Sequence, residues 1–193
     1  MPDSPRLVLA SASPRRAQIL RTLQLEFRTA ITEIDETLGI DEDAAAAAER
    51  LARAKALAAA GGEALPVLAA DTLVRCAGRI LGKPGTPEDA AGMLRLLSGR
   101  SHQVVTGVCV HSNGTLRSGV DLTEVSFAPL SEQEIAWYIA TGEPLGKAGA
   151  YHIDGRGALF VRGVTGSPSN VAGLPVSLVR RLLRDAGVAV GWP

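Results

Sequence analysis

The sequence predicts an α/β fold on a mixed sheet, and three observations carry that expectation. Short continuous apolar runs, Leu7–Ala10 and Val67–Ala70, have the length and composition of buried strands. Segments with helical spacing alternate with these runs through the first half of the chain. Hairpin signals then appear, the strongest being Asn113-Gly114 between two strand-like stretches, and strands joined by a tight turn are antiparallel.

Each element has a local reason. After Leu7–Ala10, Ser13 stands as an N-cap and Pro14 at the first helical position, which starts a helix over about 14–23 with Ile19, Leu20 and Leu23 turned inward. Phe27–Ile31 has strand character, and Glu33–Thr37 is polar and loop-like. Ala44–Ala60 is alanine-rich, with Leu51, Ala54 and Leu57 at helical spacing, and Gly61-Gly62 ends it. Val67–Ala70 places Asp71-Thr72 at its carboxyl end, and Leu73–Leu81 reads as a hairpin turning near Ala77-Gly78. Thr86-Pro87-Glu88 opens a helix, and Val104–Val110 and Val120–Phe127 flank the Asn113-Gly114 turn. Ser131-Glu132-Gln133-Glu134 is a capping box for a helix reaching about Ala140. Ala158–Val164 returns to strand, and Pro175–Ala186 is amphipathic, with Leu178, Val179, Leu182 and Leu183 on one face. No repeat, low-complexity linker or domain boundary interrupts the 193 residues, which read as a single domain over 1–193.

Composition excludes several classes. With 46% hydrophobic residues the chain can bury a core, and its formal net charge of zero argues against a general polyanion binder, so any phosphate recognition must be local. Only 4% of residues are aromatic, which disfavours a nucleic-acid polymer as partner because single-strand binders rely on stacking. Cys76 and Cys109 form no CxxC pair and read as small buried hydrophobes, while His102, His111 and His152 lack zinc-site spacing. Met1–Leu9 has no leader-like apolar core and no run approaches a membrane span, so a soluble cytoplasmic protein with no membrane partner is expected.

Four groups of residues could carry chemistry. Ser11-Ala12-Ser13-Pro14-Arg15-Arg16 puts hydroxyls and guanidiniums at a strand-to-helix junction, where free N–H groups and bidentate donors suit phosphate oxygens. No glycine-rich loop is present, so this is not a P-loop. The plain reading is a capped helix with solvated arginines. Asp71, at the end of a central strand, is placed to hold a metal or act as a base, or simply to end a strand. Glu33, Asp35 and Glu36 form an acidic loop; Glu36 with Asp71 is the type of pair that holds magnesium in phosphate chemistry, and a solvated loop is the plain alternative. Lys55, Lys83 and Lys147 sit in special local settings, beside an apolar stripe or among glycine and proline.

Taken in order, these segments resemble the Maf family of nucleoside triphosphate pyrophosphatases, historically linked to septum formation. The matching stretches are LASASPRR (9–16), EIDET (33–37), RLARAKA (50–56), AADTLV (69–74), LGKP (81–84), MLRLLSGRSHQVVTG (93–107), KAGAYHIDGRGALF (147–160) and NVAGLP (170–175). The resemblance implies a two-lobed domain of the ITPase-like, Maf-like kind around a long mixed sheet, with an active-site cleft between lobes. It also implies a homodimer and a divalent cation, magnesium or manganese. By position it implies that Asp71 is the catalytic residue taking a proton from water, that Glu36 and Asp71 hold the metal, and that Ser11, Arg15, Arg16, Lys55 and Lys83 bind the substrate phosphates.

In the branch preferring dTTP and UTP, Arg15 and Thr72 match two of three specificity positions. The third departs: His152-Ile153-Asp154 stands where that branch reads Gly-Ile-Gln. A glutamine amide donates and accepts, matching N3–H and O4 of thymine or uracil, whereas a carboxylate only accepts and suits N1–H and N2–H of guanine. Gly146 is a second departure, where an acidic residue often precedes the lysine. The expected reaction is hydrolysis of a nucleoside triphosphate to monophosphate plus pyrophosphate, on dTTP, UTP or modified pyrimidine nucleotides. The alternatives are an inosine-triphosphatase-like purine enzyme and a non-hydrolytic nucleotide-binding regulator of division.

Overall fold

The structure, a computed structural model, describes residues 5–192; the first four residues of the stretch read as lacking a leader lie outside the described residues. The strands are β1 (Leu7–Ala10), β2 (Phe27–Ala30), β3 (Val67–Cys76), β4 (Arg79–Leu81), β5 (Ser101–Ser112), β6 (Thr115–Phe127) and β7 (Val161–Thr165). The helices are α1 (Pro14–Thr22), α2 (Ala44–Ala60), α3 (Pro87–Leu97), α4 (Glu132–Ala140), α5 (Pro168–Val171) and α6 (Val176–Asp185), with 3-10 turns over Ala148–Ala150 and Arg156–Phe160. The strands form one sheet in the order β2-β1-β3-β5-β6-β7, with β4 paired on β3. It is mixed: β1 lies parallel to β2 and β3, while β3–β4 and β6–β7 are antiparallel. Among the described residues no helix is long and apolar enough to cross a membrane.

The chain folds into two compact units, and β3, β5 and β6 contribute residues to both. The first takes in the described residues up to Asp71, Thr106–Asp121 and those from Gly173 onward. Its part of the sheet buries both faces, and strand alternation decides which residue meets which layer. Leu7, Leu9, Leu68, Ala70, Val108 and Val110 pack on one face with Ala17 and Leu20 of α1 and Leu178, Val179, Leu182 and Leu183 of α6. Val8, Ala10, Val67, Ala69 and Cys109 pack on the other face with Ala52 and Ala56 of α2. Small residues line that second contact, so α2 lies close on the sheet. At Gly107 the helix backbone comes so near that a Cβ would stand 2.2 Å from the carbonyl oxygen of Ala48.

The second unit comprises Thr72–Val105 and Leu122–Ala172. Its core joins Val74, Cys76, Val104, Val125 and Phe127 of the sheet to Leu94 and Leu97 of α3, Ile135 and Tyr138 of α4, and Tyr151 and Phe160. His102 belongs to this core: its ring meets Phe127 edge-on at 4.9 Å, and Nε2 lies 2.9 Å from the Tyr151 hydroxyl. Burial pulls its pKa down to about 4, so the imidazole is neutral at pH 7. Asn170 fastens α5 to the sheet, its amide donating to the carbonyl of Val104 at 3.0 Å and to Thr123 Oγ1 at 2.9 Å.

Several local expectations change. The strand expected over Val67–Ala70 continues to Cys76, so Asp71 lies within a ten-residue strand and not at its carboxyl end. Pairing with β4 at Val74, Arg75 and Cys76 extends it. Ser13 makes no side-chain cap; instead its own N–H donates to Ser11 Oγ at 3.1 Å. Leu23 falls outside α1, and of the residues noted at helical spacing in α2, Leu57 is 53% exposed because the buried stripe runs through Leu51, Ala52, Lys55 and Ala56. The strand expected from Ala158 begins at Val161, after a 3-10 turn. Both predicted hairpin turns form, with positive φ at Ala77 and Gly78 and at Asn113 and Gly114.

The α2–β5 contact gives a direct test. Gly107→Ala overpacks it and lowers unfolding free energy by about 1–3 kcal/mol or more. Gly92→Ala, inside α3 with nothing within 4 Å of the new methyl, raises it by about 0.5–1 kcal/mol. Urea unfolding of both variants beside the parent reads the two signs.

Candidate active site

Alternation along β3 turns Val67, Ala69 and Asp71 toward α2, and on α2 the residue meeting Asp71 is Lys55. Lys55 is 8% exposed and Asp71 7%, and the ammonium donates to Asp71 Oδ1 at 2.5 Å. The same Nζ lies 2.7 Å from Glu36 Oε1, which reaches in from the loop after β2 with about half its side chain in solvent. One buried cation is thus shared by two carboxylates from separate stretches of chain. The Glu36 loop is itself held: Thr37 N–H donates to Asp35 Oδ1 at 2.9 Å, and Arg50 of α2 donates to the Thr37 carbonyl at 3.1 Å and to both oxygens of Glu42 at 2.7 and 2.8 Å. The Arg50 guanidinium and the Gly39 N–H hold Glu42 down to about 2.

The two arginines of the strand-to-helix junction part company. Arg16 is buried, with Nε donating to the Gly173 carbonyl at 2.7 Å and Nη1 to Ser11 Oγ at 3.1 Å. Burial lowers its pKa, and the charges of Asp71 and Glu36 raise it. Arg16 therefore adds a second cation to the field of the two carboxylates while tying α1 to the segment before α6. Arg15 is half-buried, one turn before Gln18, whose Oε1 accepts from Nη1 at 3.0 Å.

The remaining expected residues belong to the second unit. Thr72 follows Asp71 on β3 and faces the opposite side of the sheet. Lys83 is exposed after β4, and Lys147 heads the Ala148–Ala150 turn. That turn adjoins the Lys83 segment: Gly149 N–H donates to the Gly82 carbonyl at 3.0 Å, and a Cβ at Gly149 would stand 2.9 Å from Val74 Cγ2. Asp154 is exposed, in the bend between the two 3-10 turns. Ser11, Arg16, Glu36, Lys55 and Asp71 are joined by hydrogen bonds, ion pairs or mutual charge within the first unit; Thr72, Lys83 and Asp154 lie in the other unit.

Sequence reasoning did not single out Arg50 or Gly173, which hold the Glu36 loop and Arg16 in place. Arg50 acts on Thr37 and Glu42, contacts across the loop that a sequence does not mark, and Gly173 acts through its carbonyl, which a sequence does not mark either. Among the described residues no group of three or more His, Cys, Asp or Glu side chains gathers to hold a metal. Glu36 and Asp71 nevertheless converge on one cation, Lys55 Nζ, and two carboxylates at one point are the donor set that magnesium uses beside substrate phosphates. The arrangement fits a divalent ion at those two carboxylates.

A family model described as Maf-like protein matches residues 6–186. The chain belongs to the Maf family. It is 50% identical over 192 residues to a dTTP/UTP pyrophosphatase of Anaeromyxobacter sp. (strain Fw109-5), covering 97% of this chain and 92% of that protein. It is 52% identical over 189 residues to a dTTP/UTP pyrophosphatase of Moorella thermoacetica, covering 96% and 97%. Among solved structures it matches a HAM1 protein from Coxiella burnetii at 22% identity and a TM-score of 0.47, over 65% of this chain and 74% of that one.

In this Maf protein the two arginines should separate in a stability measurement. Arg16→Ala strips the donor from the Gly173 carbonyl and a counter-charge from two carboxylates, and costs about 2–4 kcal/mol of unfolding free energy. Arg15→Ala changes it by about 0.5 kcal/mol or less. Chemical denaturation of both variants checks the contrast.

Proposed function

We propose that this Maf protein hydrolyses nucleoside triphosphates to the monophosphate and pyrophosphate, with dTTP and UTP as its preferred substrates. The observation that carries the reading is the buried Lys55 ammonium shared by Asp71 and Glu36. A protein that only bound a nucleotide would need cations for the phosphates and no group to activate water; the carboxylates of Asp71 and Glu36 beside Lys55 supply such a group. The relatives named above, covered almost end to end at about half identity, carry the names of enzymes acting on dTTP and UTP.

In the proposed reaction Asp71 takes the proton from the water that attacks the α-phosphorus, and the P–O bond to the departing pyrophosphate breaks. Lys55 fixes the direction of the Asp71 carboxylate through its 2.5 Å contact and offsets charge gathering on the phosphate oxygens. Ser11, Arg15 and Lys83 supply further donors to the phosphate chain, and Arg16 contributes its positive charge from within the fold. A magnesium or manganese ion at Glu36 and Asp71, when bound, neutralises phosphate charge and polarises water. No covalent intermediate is required; positioning and electrostatics carry the acceleration. A homodimeric, cytoplasmic enzyme is part of the same proposal.

Base choice rests on Arg15, Thr72 and Asp154. A second reading, preference for guanine, is favoured by one observation: Asp154 carries only acceptors, matching the paired donors N1–H and N2–H.

The test is pyrophosphate release from dTTP, UTP, CTP, GTP and ITP with magnesium or manganese. Asp71→Asn lowers turnover by about 10²–10⁴-fold, the usual worth of a positioned general base. Removal of the divalent ion by chelator abolishes turnover in the parent. A dTTP/UTP preference supports Arg15 and Thr72 as the base readers; a guanine preference gives that role to Asp154. No turnover with any nucleotide and metal leaves a nucleotide-binding regulator.

A further inference from the structure

Asp154 sits in a bend bounded by His152 and Gly157, and that bend is fastened by groups outside it. Tyr138, at 0% exposure on α4, points its hydroxyl at Glu143 and donates to Oε1 at 2.8 Å. The same hydroxyl accepts from the His152 N–H at 3.0 Å. Glu143 Oε1 also accepts from the Gly157 N–H at 3.0 Å, and Oε2 accepts from the Arg156 N–H at 3.1 Å. One carboxylate and one phenol therefore grip the backbone on both sides of Asp154. Inside the bend, Gly155 N–H donates to the His152 carbonyl at 3.1 Å.

Close approach is built in. A Cβ at Gly155 would stand 2.6 Å from Glu143 Oε1, and one at Gly157 would stand 2.8 Å from the Tyr138 hydroxyl. Glycine at both positions lets successive amides close on the carboxylate, as in an anion-binding nest. Burial alone pushes the Glu143 carboxyl up, but the N–H groups of Arg156 and Gly157, the Tyr138 hydroxyl and the charge of His152 together hold it below its ordinary value. Glu143 is held in turn, its N–H donating to Thr141 Oγ1 at 3.2 Å while that hydroxyl caps the Tyr138 carbonyl at 2.6 Å. A packing role alone needs neither a charge nor three polar contacts directed at one bend.

We propose that Glu143, acting with Tyr138, is a positioning residue for base recognition: it fixes the 152–157 bend so that Asp154 is presented to the nucleobase in one geometry. The inference rests on the reading of Asp154 as a base-contacting residue. Glu143 touches no substrate; it acts through the backbone that carries Asp154. Its loss should therefore blur discrimination among bases and weaken substrate binding while leaving the chemistry at Asp71 in place.

The experiment compares Glu143→Gln, Tyr138→Phe and Asp154→Gln with the parent in two readouts. One is amide hydrogen exchange of residues 152–158 without nucleotide; the other is kcat and KM for dTTP, UTP and GTP. Glu143→Gln keeps the volume but exchanges one acceptor oxygen for a donor, so one amide of the pair loses its partner. Its exchange at 156–157 should quicken about tenfold, the order expected for losing a charge-assisted bond. The ratio of kcat/KM between the preferred and disfavoured base should fall by a similar factor, through KM, with kcat retained. Tyr138→Phe should show the same pattern at His152, and it carries the test if Glu143→Gln fails to fold. Asp154→Gln should alter the ratio without quickening exchange. If Asp154→Gln shifts the ratio while Glu143→Gln and Tyr138→Phe leave it unchanged, the positioning role is overturned and the reading of Asp154 stands. If Asp154→Gln itself leaves the ratio unchanged, the reading of Asp154 falls and the positioning role falls with it. Unchanged exchange in both clamp variants overturns the clamp.

Discussion

A buried ammonium held between two carboxylates is the interaction on which the first unit is organised. Taking Lys55 and Asp71 out of water is costly, and a charge so placed must be paired or the fold gives way. Pairing here demands that a helix, a strand and a loop arrive together. Alternation along β3 turns Asp71 toward α2; the Gly107–Ala48 contact brings α2 down onto the sheet; and Arg50, on that helix, holds the loop that delivers Glu36. The alanines of α2 serve this end, because larger side chains at Ala52 and Ala56 would lift the helix and carry Lys55 away from Asp71.

The chemistry follows from the same constraint. Two carboxylates and two cations, Lys55 and Arg16, balance one another inside a chain of zero net charge. Such a group is close to neutral by itself, so under the proposed function a triphosphate with a divalent ion would be accommodated without a large surface field. Phosphate selectivity then arises from local geometry and not from overall charge. The second unit solves a related problem with fewer charges. A single carboxylate, Glu143, gathers two backbone amides and a buried phenol, and a neutral His102 is absorbed into an aromatic core.

Much of the fold was legible locally. Pro14, the Thr86-Pro87 pair and the Ser131–Glu134 capping box start helices where expected, and Asn113-Gly114 and Ala77-Gly78 turn where expected. These are short-range effects of backbone stereochemistry and capping, so a few neighbouring residues settle them. The differences arise where distant partners decide. β3 runs through Asp71 because other strands pair with it, and Leu57 is exposed because the sheet selects the Lys55 side of α2. The 3-10 turn at Arg156–Phe160 replaces the start of a strand at a backbone whose amides are taken by Glu143.

The sequence by itself determined the family, the element order, and a set of residue types suited to phosphate chemistry: Ser11, Arg15, Arg16, Glu36, Lys55, Asp71 and Lys83. It determined these because motifs in a fixed order and local backbone preferences are properties of neighbouring residues. The tertiary structure decided how that set divides. Arg16 became a buried strut on the Gly173 carbonyl and Lys55 the shared cation; from outside the set, Arg50 holds the loop that carries Glu36, and Glu143 holds the backbone around Asp154. Those roles depend on which atoms meet across long stretches of chain, and only the packing of helices on a sheet fixes that.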